Sequence, residues 1–162
     1  MYRVCIALVD ATRARLFTFD RAADEAGLRE QLVEHTELAA AKSPRPNPPL
    51  AAPGGVLQAG PLHDLFDDHH GPRAAARDAA LARTTLAALR EVIDHAAPQR
   101  VIICASPRML GTLRASSAGI LPDGLPVEEL ARDLMRVSPS ELRNVLVSHG
   151  LLPPPPRRHP VA

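Results

Sequence analysis

The sequence has no tryptophan, one tyrosine and three phenylalanines, so aromatic residues make up only 2% of its 162 positions. Its core must therefore be filled by Leu, Val, Ile and Ala. There are two cysteines, Cys5 and Cys104. Both sit inside apolar runs, which points to buried free thiols rather than a disulfide or a metal pair. The net charge of +1 excludes a strongly basic nucleic-acid coat and an acidic tail alike, and leaves room for a local basic face. No apolar run approaches the ~20 residues of a membrane span. The first ten residues hold a short apolar run with no small-residue cleavage site after it, the pattern of a strand rather than a signal peptide. The expectation is a cytoplasmic protein with no membrane partner.

What is present is a chain that is 46% hydrophobic, long enough for one domain with a real core. Seventeen prolines are too many for an ordered domain unless they are concentrated, and they are. Pro44, Pro46, Pro48, Pro49, Pro53 and Pro61 interrupt a long irregular piece over 39–72, and Pro153–Pro156 open a tail. Loops of that length are usually functional or disordered, and a Pro-rich loop is the plain reading. The domain is expected over 1–152, with a disordered Pro-rich tail over 153–162.

The stretch Val101–Arg114 organises the rest. Its apolar start, Val101-Ile102-Ile103-Cys104, reads as a strand buried on both faces. Ser106 is a natural N-cap and Pro107 suits the first helical position. Val4–Val9 reads as a second buried strand. Asp10 turns the chain through its own side chain into a third, Ala14–Asp20. Arg21–Gly27 reads as a polar connection. Leu28–Leu38 fits a twisted edge strand better than a helix. Ala75, Ala79, Ala82, Leu86, Leu89, Ile93 and Ala96 form the apolar stripe of a long helix that Pro98 stops. Val127–Leu134 has helical spacing, although a short strand near Val127–Leu130 suits a sheet. Ser138-Pro139-Ser140-Glu141 is a capping box opening a last helix that Gly150 ends, and Leu151–Ala162 is expected to pack no core. The order is βββαβαβα, an α/β fold with a mixed sheet of about five strands flanked by helices.

Three motifs carry a family resemblance: Leu8-Val9-Asp10-Ala11-Thr12-Arg13-Ala14-Arg15-Leu16-Phe17, Ser106-Pro107-Arg108-Met109-Leu110-Gly111-Thr112-Leu113-Arg114, and Arg132-Asp133-Leu134 before the capped last helix. In order and spacing they resemble the bacterial family named for host-cell attachment, which in turn is similar to the RNase-H-like middle domain of archaeal and eukaryotic class-1 release factors. The resemblance implies that fold, and a contact with RNA, a ribosome-associated partner or a protein partner. In release factors a Gly-Gly-Gln loop before the long helix enters the peptidyl-transferase centre. Here the corresponding residues are Gly54, Gly55 and Gln58, with the glutamine two residues late. Two inserted residues displace an amide by up to roughly 7 Å, so peptide release is not expected.

No catalytic constellation emerges from the residues. Asp10 ends the first strand, but a two-metal nuclease needs several converging carboxylates. Asp133 lies in a different region of the sequence. His63, Asp64, Asp67, Asp68, His69 and His70 are dense enough to suggest Zn²⁺ ligands, yet a solvated loop is the simpler reading, so no metal and no cofactor are expected. Ser106 lacks a Gly-x-Ser-x-Gly elbow and reads as a cap. Arg73, Arg77, Arg83, Arg90, Arg108 and Arg114 are the one electrostatic theme. They are either a solvated helix face or a phosphate-binding edge. The leading expectation is a non-enzymatic binding module using Gly54, Gly55, Gln58, Arg73, Arg77, Arg83, Arg90 and Arg108. The alternatives are a degenerate peptidyl-ester hydrolase, a metal nuclease, or a protein-interaction factor in attachment. The sequence leaves oligomeric state open.

Overall fold

The computed structural model describes residues 1–40 and 71–157. Its strands are β1 (Tyr2–Val9), β2 (Arg13–Asp24), β3 (Gly27–Ala39), β4 (Arg100–Cys104) and β5 (Val127–Leu130), and its helices are α1 (Pro72–Ala96), α2 (Pro107–Ser117) and α3 (Pro139–Ser148). The sheet order is β3-β2-β1-β4-β5. β2 is antiparallel to β1 and β3, whereas β4 is parallel to β1 and β5 parallel to β4. This is the mixed five-stranded sheet that the sequence leads one to expect.

Period-two alternation divides the core between the two faces of the sheet. Cys5, Ala7, Val9, Leu16, Val101 and Ile103 pack against α1 and α2, meeting Leu81, Leu86, Leu89, Met109, Leu110 and Leu113. Val4, Ile6, Leu8, Phe17, Phe19, Ile102 and Cys104 pack on the other face against Leu134, Met135, Leu142, Leu146 and Leu152. β1 and β4 are thus covered on both sides, as their unbroken apolar runs require. Burial pushes the thiols up, Cys5 to about 11 and Cys104 to about 12.

The alanine-rich α1 has high intrinsic helix propensity. It starts on Pro72 and ends at Ala97, which adopts φ 48° and donates to Ile93 O before Pro98 closes the helix. Its buried stripe differs from the expected one. Ala75 is exposed and Ala79 half-buried, while Ala74, Asp78, Leu81 and Thr85 turn inward. Asp78 on the inner face meets Arg108 of α2 at 3.3 Å.

Two further expectations change, and one reading left open by the sequence is resolved. Arg21–Asp24, read as a connection, continues β2, because Arg21 meets Glu30 at 3.3 Å and Asp24 meets Arg29 at 2.8 Å across the hairpin. Val127–Leu130 is a strand and not the start of a helix: its backbone completes the ladder to β4, with Val101 opposite Val127 and Cys104 opposite Leu130. Leu151 and Leu152, just after Gly150, do pack. Gly150 turns at φ 69°, Leu151 and Leu152 donate to Leu146 O at 2.8 and 3.3 Å, and Leu152 is buried in the α3-side core. The 39–72 loop lies almost wholly outside the described residues.

Three measurements check this architecture. Leu86 is fully buried, so Leu86→Ala should cost about 2–5 kcal/mol in urea denaturation. Ser138→Ala, which breaks the capping box on Glu141, should cost about 1 kcal/mol. Iodoacetamide at pH 8 should label neither Cys5 nor Cys104 in the folded protein and both in denaturant.

Candidate functional site

In an open α/β sheet the backbone at the carboxyl ends of the strands is where ligand crevices form. Here a cleft of about 380 Å³ opens at the ends of β1 and β4, lined by Val9, Asp10, Ala11, Thr12, Ser106, Asp133 and Arg136. Each polar residue is placed by local chemistry. Asp10 closes the β1–β2 turn: its Oδ1 accepts from the N–H groups of Thr12 and Arg13, both at 2.7 Å, and from Thr12 Oγ1 at 2.8 Å. Ser106 caps α2 by accepting from Met109 N at 3.3 Å. Asp133 Oδ1 accepts from Met135 N at 3.0 Å, holding a tight turn after β5.

That turn is anchored from across the sheet by Arg15. Its Nη1 donates to the carbonyls of Met135 and Val137 at 2.9 and 3.1 Å, and its Nε and Nη2 meet the Glu34 carboxylate at 2.7 and 2.9 Å. The guanidinium holds Glu34 below its ordinary carboxylate range by hydrogen bonding. The same cation lies 5.0 Å from the Phe17 ring centroid. Arg15 therefore ties β2, β3 and the Asp133–Arg136 turn together.

The three motifs quoted from the sequence converge on this one cleft: Asp10 and Thr12 from the first, Ser106 from the second and Asp133 from the third. Asp133, which sequence spacing sets apart from Asp10, is brought to the same wall. The arrangement offers two carboxylates, two hydroxyls, one guanidinium and the start of α2, a donor set suited to a small polar ligand. Among the described residues no three His, Cys, Asp or Glu side chains gather as a metal-holding group.

The sequence-predicted arginines do not form one face. At 100° per residue, Arg73 and Arg77 lie about 40° apart on one flank of the buried stripe, and Arg83 and Arg90 about 20° apart on the other. Arg90 is engaged by Asp94 at 2.8 Å and by Ile120 O at 3.0 Å. Arg108 pairs with the buried Asp78, and Arg114 with Glu129. Arg73, Arg77 and Arg83 are exposed and carry no ion pair among the described residues. Gly54, Gly55, Gln58 and the His63–His70 cluster lie outside the described residues. Sequence reasoning missed Arg15 and Arg136. Arg15 works through backbone carbonyls 120 and 122 positions away, for which no side-chain pattern exists.

Residues 5–146 match the family described as "Protein required for attachment to host cells". The chain belongs to that family. No curated relative matches it at a significant level. Among solved structures, the host-attachment chain is similar to the Aquifex aeolicus Ppx/GppA phosphatase, at 12% identity and TM-score 0.45, over 80% of this chain and 36% of that one. It is similar to the archaeal translation termination factor aRF1, at 12% identity and TM-score 0.38, over 91% and 39%. It is also similar to Thermus thermophilus RuvC, at 15% identity and TM-score 0.36, over 96% and 85%. The chain spans little more than a third of the phosphatase's length. At such scores these likenesses assign no activity. No described helix is long and apolar enough to cross a membrane.

Because Glu34 is held below its unfolded pKa, its pairing with Arg15 stabilises the fold above the ordinary carboxylate range and is lost as pH falls through the lowered value. Arg15→Gln should therefore lower urea stability clearly at pH 7, by about 1–3 kcal/mol from the charged hydrogen bonds. The gap to the parent protein should narrow on acidification below pH 4.

Proposed function

We propose that this member of the attachment family is a non-enzymatic binding module for RNA, engaged along the carboxyl edge of its sheet. The observation that carries this reading is the start of α1. Arg73 and Arg77 are exposed there, with Arg83 exposed further along the helix on its other flank, and the first turn contains no acidic residue and no side-chain cap. Cations at a helix N-terminus oppose the positive end of the helix dipole, an arrangement that an anionic partner relieves. The one acid among these turns, Asp78, is buried and already neutralised by Arg108. α1 runs directly into β4 and so antiparallel to it, which puts this basic start at the same edge as the cleft with Arg136. Spaced arginines beside a polar cleft suit a phosphodiester backbone. Ribosomal RNA is the abundant form of such a partner.

The meeting of Asp10 and Asp133 in one cleft favours a second reading, a Mg²⁺-dependent phosphodiesterase. Two-metal cleavage calls for more carboxylates than these two, so binding without cleavage is the better reading.

Fluorescence anisotropy with a single-stranded RNA, repeated over a salt series, tests it. With three to four phosphates neutralised, log K should fall against log salt with a slope of about −2 to −3. Arg73→Gln with Arg77→Gln should reduce that slope by about 1.4. In cell extract the protein should co-sediment with ribosomes in a salt-sensitive way. Absence of salt-sensitive association with RNA and ribosomes would overturn the proposal, as would equal affinity for polyglutamate, which would point to an acidic protein instead. Hydrolysis of RNA or peptidyl-tRNA, with or without Mg²⁺, would overturn its non-enzymatic part.

A further inference from the structure

At the opposite edge of the sheet, where β1 and β4 begin, lies a second and larger cavity of about 700 Å³. It is not used by the RNA-binding reading. Tyr2, Val147, Leu152 and Pro154 give it apolar walls, and Arg21 and Arg100 supply its charged side. None of the described lining residues is acidic. The volume falls within the range of small-molecule pockets, which combine apolar walls with a few placed polar groups.

The charge around it is unbalanced. Arg21 and Arg143 share Glu30, and Arg100 pairs with Glu128 at 2.7 Å. Three guanidiniums thus stand against two carboxylates, leaving one positive charge beside an apolar cavity. The two lining guanidiniums are held in place rather than free to swing out. Arg21 Nη2 donates to Pro154 O at 2.9 Å, Arg100 Nη2 donates to Leu151 O, and Arg100 lies 5.7 Å from the Tyr2 ring centroid. These bonds use only part of each guanidinium's five donors. The remaining Nη–H groups and the excess charge call for an anion, and the walls call for an apolar body attached to it.

We propose that this cavity binds a small amphipathic carboxylate, its carboxylate on Arg21 and Arg100 and its apolar body against Tyr2, Val147, Leu152 and the proline segment. Planar guanidiniums match carboxylate geometry better than any other side chain.

Tyr2 is the one tyrosine in a chain without tryptophan, so intrinsic tyrosine emission reports on this cavity directly. The full chain is titrated with octanoate, and separately with 1-octanol and with acetate. Octanoate should change the emission saturably, with 1-octanol and acetate at least tenfold weaker. Arg21→Gln should weaken octanoate at least tenfold, and Arg21→Lys should restore part of the loss. Val147→Asp, which places a carboxylate at the cavity wall, should abolish octanoate binding with circular dichroism and melting close to the parent protein. Equal binding of octanol and octanoate would overturn the proposal, as would equal binding of acetate, an unsaturable response, or octanoate binding untouched by Val147→Asp. RNA affinity is read in parallel and should be indifferent to octanoate, which keeps the two proposals separately testable.

Discussion

Complete burial of the parallel β1–β4 pair is the constraint on which the rest of this structure depends. Val4–Val9 and Val101–Cys104 are 0–4% exposed, so each face of the pair must be covered by other elements. α1 and α2 cover one face, while α3 and the Leu134–Met135 turn cover the other. With both faces closed, the ends of these strands are where backbone and polar side chains meet solvent. The polar cleft lies at the carboxyl end, and the apolar, arginine-lined cavity at the amino end. Covering the core thus confines the candidate chemistry to the sheet's two edges.

Arginine does much of the joining between elements. Arg15 reaches backbone carbonyls of the Met135–Val137 segment while clamping Glu34. Arg100 and Arg21 strap the chain after α3 through the carbonyls of Leu151 and Pro154. Arg143 joins α3 to Glu30 on β3, and Arg108 joins α2 to Asp78 on α1. In a chain with few aromatic side chains to span the layers, long planar guanidiniums cover distance and satisfy buried carbonyls at once. Arg73, Arg77 and Arg83 on α1 stand out by contrast, because they join nothing among the described residues.

The cleft also alters the meaning of the sequence motifs. Asp10 and Ser106 each have a complete structural role, one as a turn and the other as a cap. Those roles aim the same side chains at a shared space. A turn residue whose Oδ1 is committed to backbone N–H groups keeps Oδ2 as a second acceptor.

The sequence by itself determined most of the strands and helices, because period-two and helical spacing, Ser106, the Ser138 capping box and Pro98 are local signals; β5 is set by its ladder to β4. It also determined that β1 and β4 are central, since an unbroken apolar run has no solvent-facing side. Tertiary structure alone decided that Asp133 joins Asp10 in one cleft, that Asp78 rather than Ala75 or Ala79 faces inward, and that Leu151 and Leu152 pack. Each of these depends on a partner far along the chain: a turn after β5, Arg108 on α2, or Arg100 on β4. An isolated stretch carries its own periodicity and caps, but it holds no record of which distant carbonyl or carboxylate will meet it. That part of the fold is settled only when the sheet closes and the long-range ion pairs form.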